Sequence, residues 1–178
     1  INRTEADLRG GPASNAIPVP MEGASAIRLA QDLPIYGTAL GADRIVDDHA
    51  VEQTYLNTGD VIGYAKRPTI LDGRADAYGI YVQGSSMSPA HEDGALILVE
   101  TKRPPRVGDD IVIYLRSTGE EDMDDSHGRA RCVMVKRLVR RSASYIELEQ
   151  FSPRMTFRIE TTEIVKFHRV MTLSDLIS

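Results

Sequence analysis

The stretch YGIYVQGSSMSPAHEDGALILVE, Tyr78–Glu100, places two apolar runs on either side of a short polar segment. Ile80 and Val82 share one face of the first run, and the second run follows Gly94. This pattern predicts a strand, a turn that carries several hydroxyl groups, and a second strand. A glycine just before a serine allows a sharp bend and leaves room for a carbonyl group beside the hydroxyl. The alternative is a plain turn, since glycine, serine and proline often cluster between strands.

A second stretch, RCVMVKRLVR (Arg131–Arg140), predicts a strand in which a lysine lies in an apolar row. Cys132, Met134, Lys136 and Leu138 would share one face, because side chains alternate along a strand. Burial disfavours the charged form of an amine, so this lysine could lose its proton near neutral pH and act as a base. A serine hydroxyl needs such a base, and serine–lysine pairs are a known variant of the catalytic triad. The alternative is a lysine at a strand edge whose amine reaches water.

These blocks, taken in order, resemble the LexA and phage CI-type repressor family, which includes UmuD and is distantly related to signal peptidases. The order is an apolar strand, Gly84–Met87, a second apolar run, Gly108–Asp109 with a third run, and Val135–Leu138. The similarity extends over about residues 33–170, most of the chain. Members of this family are self-cleaving proteins with a Ser-Lys dyad.

By position in these blocks, the resemblance implies that Ser86 is the nucleophile and Lys136 the general base. Backbone N–H groups around Ser85 and Met87 would stabilise the oxyanion. In the family the scissile bond joins a small residue, usually alanine, to glycine, on a loop that enters the protein's own active site. Here Leu40–Gly41 occupies that place, and the leucine departs from the family pattern. The alternative for this segment is a Gly-rich turn between short strands.

Many short alternating segments separated by turn residues predict an all-β fold. The resemblance implies LexA/signal-peptidase-like coiled β-sheets with a partly barrel-like core, paired through C-terminal strands into a homodimer. We expect residues 1–31, which are broken by glycine and proline, to be a flexible linker. Residues 32–178 would form the Ser-Lys peptidase and dimerisation domain. Operator DNA would be bound by an upstream helix-turn-helix domain that is absent from this chain.

Length and composition limit what else the chain does. Its 178 residues, 42% of them hydrophobic, suffice for one domain with a core, and the net charge of −5 argues against a polyanion-binding protein. No apolar run approaches the roughly 18 residues that span a bilayer, so we expect a soluble protein without membrane contact. One cysteine and four scattered histidines form neither a disulfide framework nor a zinc pattern. We therefore predict no metal or other cofactor and a cytoplasmic location.

Two charged segments are explained more simply as solvated surface than as sites. Ser117–Arg131, STGEEDMDDSHGRAR, predicts a long mobile hairpin loop. The alternative, a calcium-binding loop, lacks the glycine that this pattern requires at its sixth place. His91–Asp93 follow the predicted turn, and we expect them to be solvated rather than to form a triad with Ser86.

Two functions of different class are compatible with these observations. In the first, Lys136 deprotonates Ser86, which attacks the carbonyl before Gly41 in the same chain. In the resembled family this single cut relieves repression and is prompted by RecA filaments during the SOS response to DNA damage. In the second, the fold is a dimerisation and regulatory module that does not cleave and is controlled by a partner such as an anti-repressor. Leu40 favours the second function, and the serine and lysine favour the first.

Overall fold

A computed structural model describes residues 28–116 and 130–177, which are built mainly of strands. The strands are β1 (Leu33–Leu40), β2 (Arg44–Val46), β3 (His49–Val51), β4 (Thr54–Ala65), β5 (Ala77–Tyr81), β6 (Leu96–Glu100), β7 (Asp110–Leu115), β8 (Ala130–Arg141), β9 (Tyr145–Phe151), β10 (Arg154–Glu160) and β11 (Ile164–Val170). The helical elements in these ranges are α1 (Leu173–Leu176) and 3₁₀ turns at Thr69–Leu71 and Thr161–Glu163. None of these helices has the length and apolar character needed to cross a membrane. The prediction of an all-β fold is confirmed.

Two of the sequence-based expectations concern segments that lie wholly or mostly outside the described residues. The predicted linker falls largely on residues 1–27, and the predicted acidic loop falls on residues 117–129. Both stay predictions.

Nine strands form one sheet that curls into a ring. Its order is β10-β9-β8-β4-β1-β5-β6-β11-β7, and β7 pairs again with β8. The strands from β8 to β7 therefore close the ring, while β9 and β10 extend from it as a ribbon. β1 and β5 run parallel, and the other pairs in this sheet are antiparallel. This ring corresponds to the partly barrel-like core implied by the resemblance.

Among the described residues, buried apolar side chains form three clusters, and alternation along β8 places its residues in two of them, on opposite faces of the strand. The first contains Tyr78, Ile80 and Val133 together with residues of β4, β6, β7 and β11, so it fills the interior of the ring. The second contains Met134 and Leu138 with apolar residues of β7, β9 and β10. Successive residues of β8 thus serve different clusters, as the two-residue period of a strand requires. Burial of these apolar side chains is the main force that stabilises the fold.

Most of the segment before β2 is a strand: β1 ends at Leu40, and residues 41–43 form a short connection to β2 that is not part of a strand. β1 pairs antiparallel with β4, from Leu33 opposite Ala65 to Leu40 opposite Thr54. It also pairs in parallel with β5 on its other side. Pairing with β4 from Leu33 to Leu40 holds β1 in an extended form, and Ile35 and Tyr36 pair with β5 as well.

An ionic cluster fastens the C-terminal helix to the ring. The guanidinium group of Arg169, on β11, donates hydrogen bonds to Glu100, Asp109 and Asp175, each 2.9–3.0 Å long. Asp175 also closes a capping box with Thr172 at the start of α1. The cluster connects residues 100–109 with residues 169–175, which are far apart in sequence.

Candidate functional site

Ser86 lies in a tight turn between β5 and β6. The turn is closed by the N–H of Ser88, which donates to the carbonyl of Ser85 at 2.9 Å. The carbonyl of Ser86 accepts hydrogen bonds from the N–H groups of Phe151 and Ser152, at 2.8 and 3.1 Å. These two bonds attach the turn to the end of β9, so that the Ser86 side chain has a defined position. Ser86 is only 6% exposed.

Lys136 projects from β8 on the apolar face that its sequence pattern predicted. It pairs with Ile111 of β7 and lies between Met134 and Leu138, all three of which belong to the second core cluster. Lys136 is 1% exposed, so its amine does not reach water at a strand edge. The Nζ atom lies 2.6 Å from the Oγ atom of Ser86. The fold thus brings a buried amine and a hydroxyl into contact across 50 positions of sequence.

Burial lowers the pKa of Lys136 from 10.5 to about 8, because an apolar environment disfavours an ammonium ion. The negative charge of Glu52 acts in the opposite direction and raises this pKa. Near neutral pH most of the amine is therefore protonated and donates to Oγ of Ser86. As pH rises through 8, the neutral amine becomes the main form and can accept the Ser86 proton.

Glu52 is a residue of this site that the sequence analysis did not identify. Its Oε2 atom accepts a hydrogen bond from the backbone N–H of Ser86 at 3.0 Å. The carboxylate also lies against Gly84, whose φ of +83° falls in the left-handed region, and a Cβ at that position would overlap it. Glu52 belongs to the two-residue link between β3 and β4. A single glutamate between two strands matches no catalytic spacing, so the sequence carried no signal for it.

Gln150 on β9 is a second residue that the sequence analysis missed. It is 2% exposed, and its Nε2 atom donates to the carbonyl of Pro153 at 3.1 Å. Its Oε1 atom has no hydrogen-bond partner among the described residues. The paired register of β8 and β9 ends with Arg137 opposite Glu149, so Gln150 lies one position beyond it, next to Phe151, whose N–H donates to the carbonyl of Ser86. The Oε1 atom is thus a buried acceptor near the end of β9.

The predicted cleavage site lies at the end of β1. Leu40 is 57% exposed, and the N–H of Gly41 donates to the carbonyl of Gln53 at 2.9 Å. Within the described chain, neither residue is among the hydrogen-bond partners of Ser86. The bond between them is thus part of a strand end in this state.

The charged residues after the turn make contacts elsewhere. His91 Nε2 lies 3.0 Å from Oδ2 of Asp110, and Glu92 accepts a hydrogen bond from the hydroxyl of Ser88 at 2.8 Å. In the described chain neither His91 nor Glu92 is a hydrogen-bond partner of Ser86, and the expectation that they form no triad stays a prediction. In residues 28–116 and 130–177, no group of three or more histidine, cysteine, aspartate or glutamate side chains is arranged to hold a metal ion.

Comparison with known proteins identifies the family. The chain is 29% identical over 139 residues to a protein named Repressor protein C from Rhizobium phage 16-3. That match covers 78% of this chain and 48% of the relative, so the chain spans about half the length of the curated relative it matches. Residues 34–166 match the family described as Peptidase S24-like, and this range includes both Ser86 and Lys136. The resemblance noted in the sequence is confirmed: the chain belongs to the Peptidase S24-like family.

Proposed function

We propose that this chain is the C-terminal regulatory domain of a CI/LexA-type transcriptional repressor and that it cuts its own backbone with Ser86 and Lys136. The observation that carries the proposal is the 2.6 Å contact between the serine hydroxyl and a buried amine. A buried lysine with a lowered pKa is suited to be a general base, whereas a solvated lysine is not. The name of the phage relative, Repressor protein C, supports the proposed role as part of a repressor.

The proposed reaction is an acyl transfer within one chain. The neutral amine of Lys136 takes the Ser86 proton, and Oγ attacks the carbonyl carbon of Leu40. Backbone N–H groups around Ser85 and Met87 stabilise the oxyanion. Lys136 then gives its proton to the amine of Gly41 as the peptide bond breaks. Water hydrolyses the ester, releases the new carboxyl group and restores the Ser86 hydroxyl.

The proposed biological result is separation of DNA binding from dimerisation. Residues 1–31 act as the linker from an upstream helix-turn-helix domain, and residues 32–178 act as the peptidase and homodimerisation domain. A cut at Leu40–Gly41 leaves β1 on the fragment that carries the linker and separates it covalently from the rest of the dimerisation domain. A repressor divided in this way loses the gain in operator affinity that comes from pairing two DNA-binding domains. A RecA filament or an anti-repressor protein is the partner proposed to start the reaction.

Incubation of the purified chain between pH 6 and pH 10, followed by intact-mass measurement, tests the proposal. We expect two fragments whose masses correspond to a cut after Leu40. The rate should rise about tenfold per pH unit below pH 8 and level off above it, because only the neutral form of Lys136 is active. Ser86→Ala and Lys136→Ala should abolish the fragments, and the matched control Ser88→Ala should retain them. Fragments that persist in Ser86→Ala would refute the dyad.

The second candidate function is a regulatory module that does not cleave. Two observations favour this function: Leu40 stands where the family has a small residue, and the carboxylate of Glu52 accepts the hydrogen bond from the N–H of Ser86. If the chain keeps its fold and its intact mass after several days at pH 10, that result supports the module that does not cleave.

A further inference from the structure

We propose that Glu52 keeps the site closed in the resting protein, because its carboxylate occupies the place that a substrate carbonyl oxygen must take, and that its departure makes Ser86 reactive. This inference rests on the proposed peptidase function for its biological meaning. The contact itself, between Glu52 and the backbone of Ser86, is present in the structure.

The backbone N–H of a nucleophilic serine is well placed to stabilise an oxyanion. During attack, the carbonyl oxygen becomes negative and needs preorganised donors about 3 Å away. The N–H of Ser86 is one such donor, and Oε2 of Glu52 accepts its hydrogen bond at 3.0 Å. A carboxylate oxygen carries the same charge as the oxyanion and occupies the same donor. A substrate carbonyl therefore cannot use this N–H until Glu52 leaves.

The surrounding backbone is shaped to receive the carboxylate. Gly84 has no side chain at the point where a Cβ would overlap Glu52, and its φ of +83° favours glycine. The glycine–serine pattern in the sequence predicts that the space beside this glycine receives an incoming carbonyl. In the structure the side chain of Glu52 lies there instead.

Glu52 is also connected to the predicted cleavage segment. The residue after it, Gln53, accepts the hydrogen bond from the N–H of Gly41 at 2.9 Å. For the bond before Gly41 to reach Ser86, this hydrogen bond must break. The movement that brings the substrate segment to the serine thus removes one hydrogen bond from the link that carries Glu52.

The charge of Glu52 has a second effect on the dyad. It raises the pKa of Lys136 and so favours the ammonium form, which cannot act as a base. In the described chain Glu52 is the charged group whose field acts on this amine. Arg137, the next residue on β8, points to the opposite face and pairs with Asp110. Departure of Glu52 would therefore free the N–H donor and favour the neutral amine.

The experiment measures the reactivity of Ser86 without relying on self-cleavage. An alkyl fluorophosphonate is added to the full chain, and labelling is followed by intact mass. Oγ of Ser86 bonds to phosphorus as the P–F bond breaks, the Ser86 proton passes to Lys136, and fluoride leaves. Glu52→Ala removes the carboxylate, whereas Glu52→Gln keeps a neutral acceptor of the same shape. Glu92→Gln is the matched control, since Glu92 contacts Ser88 and not Ser86.

We expect Glu52→Ala to be labelled faster than the unaltered chain by on the order of ten- to a hundredfold, the range of a hydrogen bond to a charged group. Glu52→Gln should lie between the two, and its labelling rate should reach half-maximum at a lower pH. A purely structural role would not move that midpoint. Glu92→Gln should match the unaltered chain, and Ser86→Ala should not react.

Equal or slower labelling of both Glu52 variants would overturn the proposal, as would a complete lack of labelling in every variant. If Glu52→Ala fails to fold, as judged by its melting temperature, Glu52→Gln decides the question. Faster labelling without fragments would retain the role of Glu52 and reject self-cleavage. Fragments that form at equal rates in all variants, with unchanged labelling, would reject the role of Glu52 and retain self-cleavage.

Discussion

Replacement of Lys136 by methionine tests whether the amine is buried as the structure indicates. Its pKa falls from 10.5 to about 8 on folding. A difference of about 2.5 pH units corresponds to about 3.5 kcal/mol of unfolding free energy, since each unit contributes about 1.4 kcal/mol. Below pH 8 this amount is the full penalty for burying the ammonium ion. Methionine of similar length removes the penalty and also the hydrogen bond from the charged amine to Ser86, which contributes about 1.5 kcal/mol.

The sign of the pH dependence follows from proton binding. Between pH 8 and 10.5 the unfolded chain holds a proton on Lys136 that the folded chain has lost, so the stability of the unaltered chain rises with pH. The variant lacks this titration. At pH 7 we expect Lys136→Met to be more stable by about 2 kcal/mol, which raises the melting temperature by about 4–8 °C. The advantage should shrink as pH rises and disappear by about pH 10.

Urea unfolding of both proteins at several pH values between 6.5 and 10.5 measures this difference, with intact mass used to check for cleavage. The exposed Lys66→Met serves as a control for the loss of one positive charge. A difference between Lys136→Met and the unaltered chain that stays constant across this range would refute the reasoning. It would mean that the amine titrates alike in both states and is no candidate for a base.

Three further predictions concern the fold. Arg169→Met should lower the unfolding free energy measured by urea titration by about 3 kcal/mol, because it leaves the buried Glu100 without one of its partners. The control Arg154→Ala, which removes an exposed ion pair, should change the unfolding free energy by less than about 0.5 kcal/mol. Phe157→Ala should lower it by about 3–5 kcal/mol, since this ring is buried in the second cluster, and an unchanged denaturation midpoint would contradict that packing. Burial, aided by the charge of Lys166, lowers the pKa of His168 from 6.5 to about 4, so the unfolded chain binds more protons between those values and stability falls as pH falls through them. His168→Gln should flatten this part of the melting-temperature profile between pH 4 and pH 7.

The sequence by itself determined the strands and the pair of candidate residues. Alternation with a period of two is a local property, so it placed Lys136 on an apolar face of β8 and Ser86 in a turn after β5 without knowledge of the fold. The order of these blocks was specific enough to indicate the family. The sequence pattern did not show that β1 pairs with β4 along its length and with β5 at Ile35 and Tyr36, because these partners lie far from β1 in the chain.

Only the tertiary structure decided which distant groups meet. The curl of the sheet brings β8 to the turn after β5, and this sets the 2.6 Å distance between the amine and the hydroxyl. It also places Glu52 on the N–H of Ser86 and the end of β9 on the carbonyl of Ser86. These contacts join residues with no fixed spacing, because ring closure and loop paths depend on the whole chain. The contact between the Glu52 carboxylate and the backbone N–H of Ser86 therefore could not be predicted from any periodic pattern in the sequence.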